Sequence, residues 1–215
     1  APPLPPGSLN DVVVMNPDTT TGTLLKGWVA DFLDVPDPHQ FHDFVTTLVS
    51  NGVTVGCGFG NYCVDNPTTR AHMAVFLLKA LLGFCFTPPP ATGTVFADVP
   101  ATSIYAPWIE ELARRGLTAG CGGGNYCPDA SVTRAQMAVF LLNTAYGPGY
   151  APPPATGTAF DDVPAGSFAA DWIEDLVARG ITAGCSASPP LYCPANPITR
   201  GQMATFIVIT FALVP

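Results

Sequence analysis

The chain has 215 residues, a formal net charge of −8, 11% charged residues and a mean hydropathy of +0.32. Eight basic residues against sixteen acidic ones offer no cationic cluster to displace counterions, which argues against nucleic acid and against docking on anionic lipid. The longest apolar run, from Met203 to Val214, spans 12 residues, short of the roughly 20 that cross a bilayer.

Residues 1–31 read as a Pro-rich N-terminal arm. Ala1 to Gly7 should be extended, and Ala1-Pro2-Pro3 looks like an end left by processing. Asp11 to Met15 is a strand candidate with no β-rich partner in view, bounded by Asn10 and Asn16-Pro17. Thr23 to Phe32 is apolar and fits either element type.

The remainder repeats. Phe32-Leu33-Asp34-Val35-Pro36, Phe96-Ala97-Asp98-Val99-Pro100 and Phe160-Asp161-Asp162-Val163-Pro164 stand 64 residues apart. Each start is followed by an aromatic (Phe44, Trp108, Trp172), a glycine (Gly52, Gly116, Gly180), a Gly-Cys, a Tyr-Cys and then Thr69-Arg70, Thr133-Arg134 or Thr199-Arg200. A fixed period of this kind marks one supersecondary unit used three times, each copy covering its neighbours' apolar faces. The copies occupy 32–86, 96–147 and 160–215, with Pro-rich linkers at 87–95 and 148–159. In both linkers a triple proline (Pro88–Pro90, Pro152–Pro154) reads as a polyproline II spacer.

Within a copy the pattern is helix, loop, helix. Trp108, Ile109, Leu112 and Ala113 share one face between Tyr105 and Arg115, with Glu110, Glu111, Arg114 and Arg115 elsewhere. The second helix opens with a capping box at Thr133–Gln136 and again at Thr199–Gln202; His72 at the matching position weakens the first copy's cap. The apolar runs that follow, such as Met137–Leu142, belong to the buried element.

These motifs, Phe-x-Asp-Val-Pro through Thr-Arg-Ala-Gln, resemble the S-layer homology domain over residues 32–211. The resemblance implies a mainly α fold: three helix-loop-helix repeats in a pseudo-threefold bundle, here with disulfide-closed loops and an extended N-terminal arm. It also implies binding of acidic envelope glycans in the grooves between repeats. Carried over, the groove residues are Arg70, Arg134 and Arg200; Trp108 and Trp172; and Asp34, Asp98 and Asp162. Gln136, Gln202 and His72 stand where the family usually has Glu, and Phe44 stands where the other copies have Trp.

Cys57/Cys63, Cys121/Cys127 and Cys185/Cys193 read as disulfides closing their own loops, in an oxidising compartment. Their spacing and the lack of nearby histidine do not suit zinc. Cys85, between Phe84 and Phe86, reads as a buried, inert thiol. A cation in the first turn of a helix opposes the helix dipole. The three arginines therefore either meet an anionic ligand or bond a neighbouring repeat's carboxylate. His39 and His42 could share a helical face, but packed or solvated histidines fit better than a metal site. The adjacent acidic pairs Glu110-Glu111, Asp161-Asp162 and Glu174-Asp175 do not face each other as a glycosidase requires, and no nucleophile motif is present.

The expectation is a secreted, non-enzymatic protein of the bacterial cell surface that binds cell-envelope polysaccharide and needs no cofactor. The alternative is a self-assembling subunit of an extracellular filament or surface lattice. It follows from the absence of a cargo domain beside the repeats and from the low surface charge, with residues 1–31 as the intersubunit link.

Overall fold

The computed structural model describes residues 6–15, 21–29 and 31–215, so Ala1-Pro2-Pro3 lies outside the described residues. The chain is mainly helical. It starts with an antiparallel hairpin of β1 (Leu9–Met15) and β2 (Thr21–Val29), with an irregularity between Asn10 and Val12. Six helices follow among the described residues: α1 (His42–Ser50), α2 (Arg70–Leu82), α3 (Ala106–Arg114), α4 (Arg134–Tyr146), α5 (Ala170–Ala178) and α6 (Arg200–Thr210). A small ladder of β3 (Ser186–Ala187) and β4 (Pro190–Leu191) lies in the third loop.

The hairpin corrects the expectation that the arm's strand candidate has no β partner; most of Ala1 to Gly7, read as extended, lies outside the described residues. The strand candidate does have a partner, and it is the neighbouring stretch whose type the sequence left undecided. β2 in turn lies against α1.

The long helices α2, α4 and α6 pack on one another and form the centre. Met73, Met137 and Met203, with Ala74, Ala138 and Ala204, are fully buried at equivalent points, so large and small residues alternate where three helices converge. The short helices α1, α3 and α5 lie outside. Each packs mainly on the long helix of the preceding copy: α3 on α2, α5 on α4, and α1 on α6. The physical packing unit is therefore offset by half a repeat from the sequence unit, and α1 against α6 closes the ring.

Backbone bonds hold that closure. The Thr68 amide donates to the Ile198 carbonyl (2.8 Å), Ile198 to Val132 (2.9 Å) and Val132 back to Thr68 (2.9 Å), a closed triangle across the three copies. The first amides of each long helix, which have no partner inside the helix, find carbonyls in the next copy's loop. Arg70 and Ala71 donate to Ala130 and Pro128; Arg134 and Ala135 to Asn196 and Pro194; Arg200 and Gly201 to Asn66 and Val64. Gly201 replaces the alanine of the other copies because a Cβ there would collide with Phe41 and Val64.

The caps follow the expected chemistry. Thr133 and Thr199 each accept from the third helical amide, and Gln136 and Gln202 reach back to complete the box. Thr69 accepts from His72, but the return bond is replaced by one from the His72 ring to the Tyr105 hydroxyl (3.0 Å).

The loops are fixed from two sides. Disulfides Cys57–Cys63, Cys121–Cys127 and Cys185–Cys193 span Cα distances of 6.0, 6.0 and 6.1 Å. The second cysteine of each pair adopts a left-handed backbone with φ near 60° (60, 59 and 59). That conformation costs on the order of 1 kcal/mol for a residue with a Cβ. Closing so short a loop stabilises by about 2 kcal/mol, enough to offset it. The glycine before the first cysteine admits nothing larger: a Cβ on Gly120 would meet the Asn125 carbonyl and the Phe96 ring.

Two further readings are corrected. Cys85 is exposed, not buried, because α2 stops at Leu82 and Gly83 (φ 84°) turns the chain outward, leaving Phe84 65% exposed. Glu111 is buried rather than on the polar face, held there by Arg114 (2.6 Å) and Arg115 (2.7 Å). The linkers are also more than spacers. Glu110 accepts from the amides of Thr92 and Gly93 (2.8 and 2.7 Å), and Glu174 does the same for Thr156 and Gly157 (both 2.7 Å). Each linker is thereby bound down onto the helix that follows it.

Candidate functional site: the grooves between copies

Thr-Arg occupies the N-cap and first turn of each long helix, so its arginine side chain points at the next copy's loop. Arg70 Nε donates to the Tyr126 carbonyl (2.7 Å), Arg134 Nε to Tyr192 (2.7 Å) and Arg200 Nε to Tyr62 (2.8 Å). The tyrosines answer: the hydroxyls of Tyr126, Tyr192 and Tyr62 donate to the backbone carbonyls of Arg70, Arg134 and Arg200 (2.8, 3.0 and 3.1 Å). The result is a closed cycle of three reciprocal pairs. Each guanidinium also faces two rings; that of Arg70 lies 4.8 Å from the Tyr126 centroid and 5.2 Å from that of Phe140.

The sequence left two uses open for these arginines. The structural one is present, but its acceptor is a main-chain carbonyl and not a carboxylate. It also leaves a group over. All three arginines are only 5% exposed, and Nη2 of each is buried with no hydrogen-bond partner. Burial pushes the Arg70 and Arg134 guanidinium pKa values down.

Two of the arginines border open grooves. Arg200 lines a groove of about 850 Å³ with Thr54, His72, Lys79 and Tyr105. Arg70 lines one of about 680 Å³ with Thr118, Gln136, Asn143 and Phe168. Lys79, Asn143 and Phe168 were not singled out by the sequence. Only their place on a turn of the helix carrying the arginine motif, or at the start of the next copy, would have marked them.

The other carried-over residues sit elsewhere. Asp34, Asp98 and Asp162 lie beneath the disulfide loops and accept two backbone amides each: Tyr62 and Val64 (2.7 and 3.1 Å), Tyr126 and Cys127 (both 2.7 Å), and Tyr192 and Cys193 (both 2.8 Å). Trp108 lies in the seam between α2 and α3, edge-on to Phe86 and 5.8 Å from Lys79 Nζ. Trp172 meets Tyr150 in the α4–α5 seam and borders a small cleft of about 260 Å³ with residues 165–167 and 169–171. The structure thus brings Arg70 and Arg200 to grooves, but it does not gather arginine, aspartate and tryptophan into one constellation.

The histidines are occupied too. His39 precedes α1 and accepts from the Phe41 amide, while His42 bonds Asp31 (2.9 Å) and Asp43 (3.1 Å). The Asp31 hydrogen bond leads in raising the His42 pKa. Burial lowers that of His72. Among the described residues no group of three or more His, Cys, Asp or Glu is placed to hold a metal ion, and no helix is long and apolar enough to cross a membrane.

Two of the three copies are similar to a known family. Residues 31–74 and 95–138 match the S-layer homology domain. Both matched segments run from the Asp-Val-Pro start into the Thr-Arg helix, the parts that build the grooves. Three relatives are similar over longer stretches. An S-layer protein of Bacillus licheniformis is 28% identical over 201 residues, 89% of this chain and 22% of the relative. S-layer protein EA1 of Bacillus anthracis is 26% identical over 205 residues, again 89% and 22%. A cell surface protein of Thermoanaerobacter kivui is 31% identical over 113 residues, 52% of this chain and 15% of the relative. The chain therefore spans about a fifth or less of the length of these proteins.

Proposed function

We propose that this chain is a non-enzymatic module of the bacterial cell surface whose three copies, the third included, bind acidic groups of an envelope polysaccharide in the grooves between them. One observation carries the reading. Three equivalent guanidinium groups are buried with an Nη2 left without a partner, and an unpaired buried donor of this kind costs about 1–3 kcal/mol. A sugar carboxylate in the groove supplies a counter-charge to the part of the guanidinium that lines it in Arg200 and Arg70, while Nη2 itself lies beneath the surface. The similarity to S-layer and cell surface proteins supports the location, and the low charge of the chain suits close contact with a polymer.

Arg200→Ala and Arg70→Ala should each weaken binding to purified envelope polysaccharide about tenfold or more, the value of a charge-assisted hydrogen bond. Arg115, which ends α3, is not a neutral comparison, because it holds the buried Glu111. Arg114→Ala is better: its side chain is 64% exposed, and Arg115 still pairs with Glu111 after the change. Circular dichroism reports whether each variant is folded, and Arg→Lys variants keep the charge while removing the forked geometry. Groove variants that bind as well as Arg114→Ala would sink the assignment.

A second reading is favoured by the hairpin. β1 has β2 on one side, no other described element packs along its far side, and a two-stranded ribbon is marginal by itself. Its seven residues carry one charge, Asp11, so the edge is poorly protected against pairing with another chain. On this reading the chain is a self-assembling subunit with residues 1–31 as the link. Removing residues 1–29 should then leave the helical signal intact and abolish polymers seen by electron microscopy and light scattering. Polymers that persist without the hairpin, or a full-length chain that stays dispersed, would refute the link.

A further inference from the structure

We propose that His42 is a proton-operated clasp, which fastens the N-terminal hairpin to the helical module below neutral pH and loosens it above. The clasp acts within one chain, whether or not the hairpin also joins subunits.

The second and third copies pin their incoming linkers with carboxylates, since Glu110 and Glu174 each accept two linker amides. In the first copy the matching position is Thr46, and the hairpin stands where the linker would be. The fastening there is different. His42 opens α1, and its ring lies between two carboxylates. Nε2 is 2.9 Å from Asp31, just beyond β2, and Nδ1 is 3.1 Å from Asp43. In the other copies the positions of Asp31 and His42 hold Val95 and Ala106, or Ala159 and Ala170, which form no such pair.

An ionised carboxylate only accepts, so both ring nitrogens must carry a proton to bond both partners. A neutral imidazole has a single N–H and turns a lone pair towards the other carboxylate. The geometry therefore suits the imidazolium. The surrounding charges do not take over its task. α6, packed on α1, carries only Arg200, which is engaged with Tyr62, and β2 carries only Lys26. Between β2 and α1, Asp34 is spent on loop amides, His39 accepts from the Phe41 amide, and the remaining charge is the exposed Asp37. The Asp31 bond is the largest influence on the ring, and Asp43 is the one other charged group that acts on it. Together they raise its pKa above the ordinary value near 6.5 despite some desolvation. The contribution of the clasp is complete below pH 6.5 and is lost as pH rises through the folded value.

Trypsin tests this. Lys26 is the only Lys or Arg before Arg70, so cleavage after it reports opening of the hairpin. Rates on the full chain, dilute enough to scatter light as single molecules, are divided by those on a free peptide of residues 21–31 at the same pH. The division removes the pH dependence of the protease. For the wild type the ratio should rise about threefold from about pH 5.5 to about pH 8.5, the scale of an exposed ion pair. Asp31→Asn and His42→Gln should give the fast ratio at both pH values. His42→Arg, which stays charged, should give the slow ratio at both. Circular dichroism reports that the helices are intact in each variant. A wild-type ratio that does not change with pH overturns the clasp, as does a rise that survives in Asp31→Asn or in His42→Arg.

Discussion

A chain ending at Gly147 will not fold into two-thirds of the molecule. If the copies were independent, the first two would keep their structure. The packing says otherwise, because α1 lies on α6 and would lose its main support. Tyr62 and Arg200 would part, as would Arg134 and Tyr192, and the amides of Arg134 and Ala135 would lose their acceptors Asn196 and Pro194. Uncovering Val45, Leu48 and Val49 of α1, each at most 1% exposed, would cost about 2 kcal/mol per side chain. That sum alone rivals the 5–15 kcal/mol stability of a typical domain. The expected result is a weak helical signal and no cooperative melting transition. A sharp transition with two-thirds of the parent ellipticity would show that the ring closure is dispensable.

Alkaline pH will strike the same ring. Tyr62, Tyr126 and Tyr192 are fully buried, and burial is the leading cause that raises all three phenol pKa values, pushing Tyr62 up to about 12. The folded chain therefore keeps protons that the unfolded chain releases near pH 10. Their contribution to stability is complete below pH 10 and is lost as pH rises through the folded values. For Tyr62 alone the loss is about 3 kcal/mol, on the order of 1.4 kcal/mol per pKa unit. Phenolate absorbance should show three of the six tyrosines ionising only as helical ellipticity collapses. Tyr126→Phe should leave two such groups. If all six titrate near pH 10 while the helices persist, the hydroxyl-to-carbonyl bonds do not hold the ring as described.

Much of the fold was legible because its causes are local. A period of 64 residues, Thr at an N-cap with Gln three residues on, and Gly after a helix act within a few residues, so helix starts and loop boundaries could be read off the chain. The cysteine pairs belong to the same class, since loops this short leave each thiol one near neighbour. What the sequence could not determine depends on which copy meets which. Cys85 has aromatic neighbours in sequence but is exposed, because a turn at Gly83 carries the segment away from the core. Glu111 looks like a surface residue until Arg115 and the exposed Arg114 close over its buried carboxylate. The arm's strand found its partner within the arm, which an ambiguous apolar stretch could not announce. The site shows the division most clearly. The sequence marked Arg70, Arg134 and Arg200 as misplaced for a helix start, a local argument from the dipole. Only the tertiary structure pairs each with a tyrosine 56, 58 or 138 residues away and leaves a buried nitrogen of each without a partner. Contacts between copies depend on how helices converge in space, and residue type and spacing along one chain do not encode which carbonyl will lie beneath a given guanidinium.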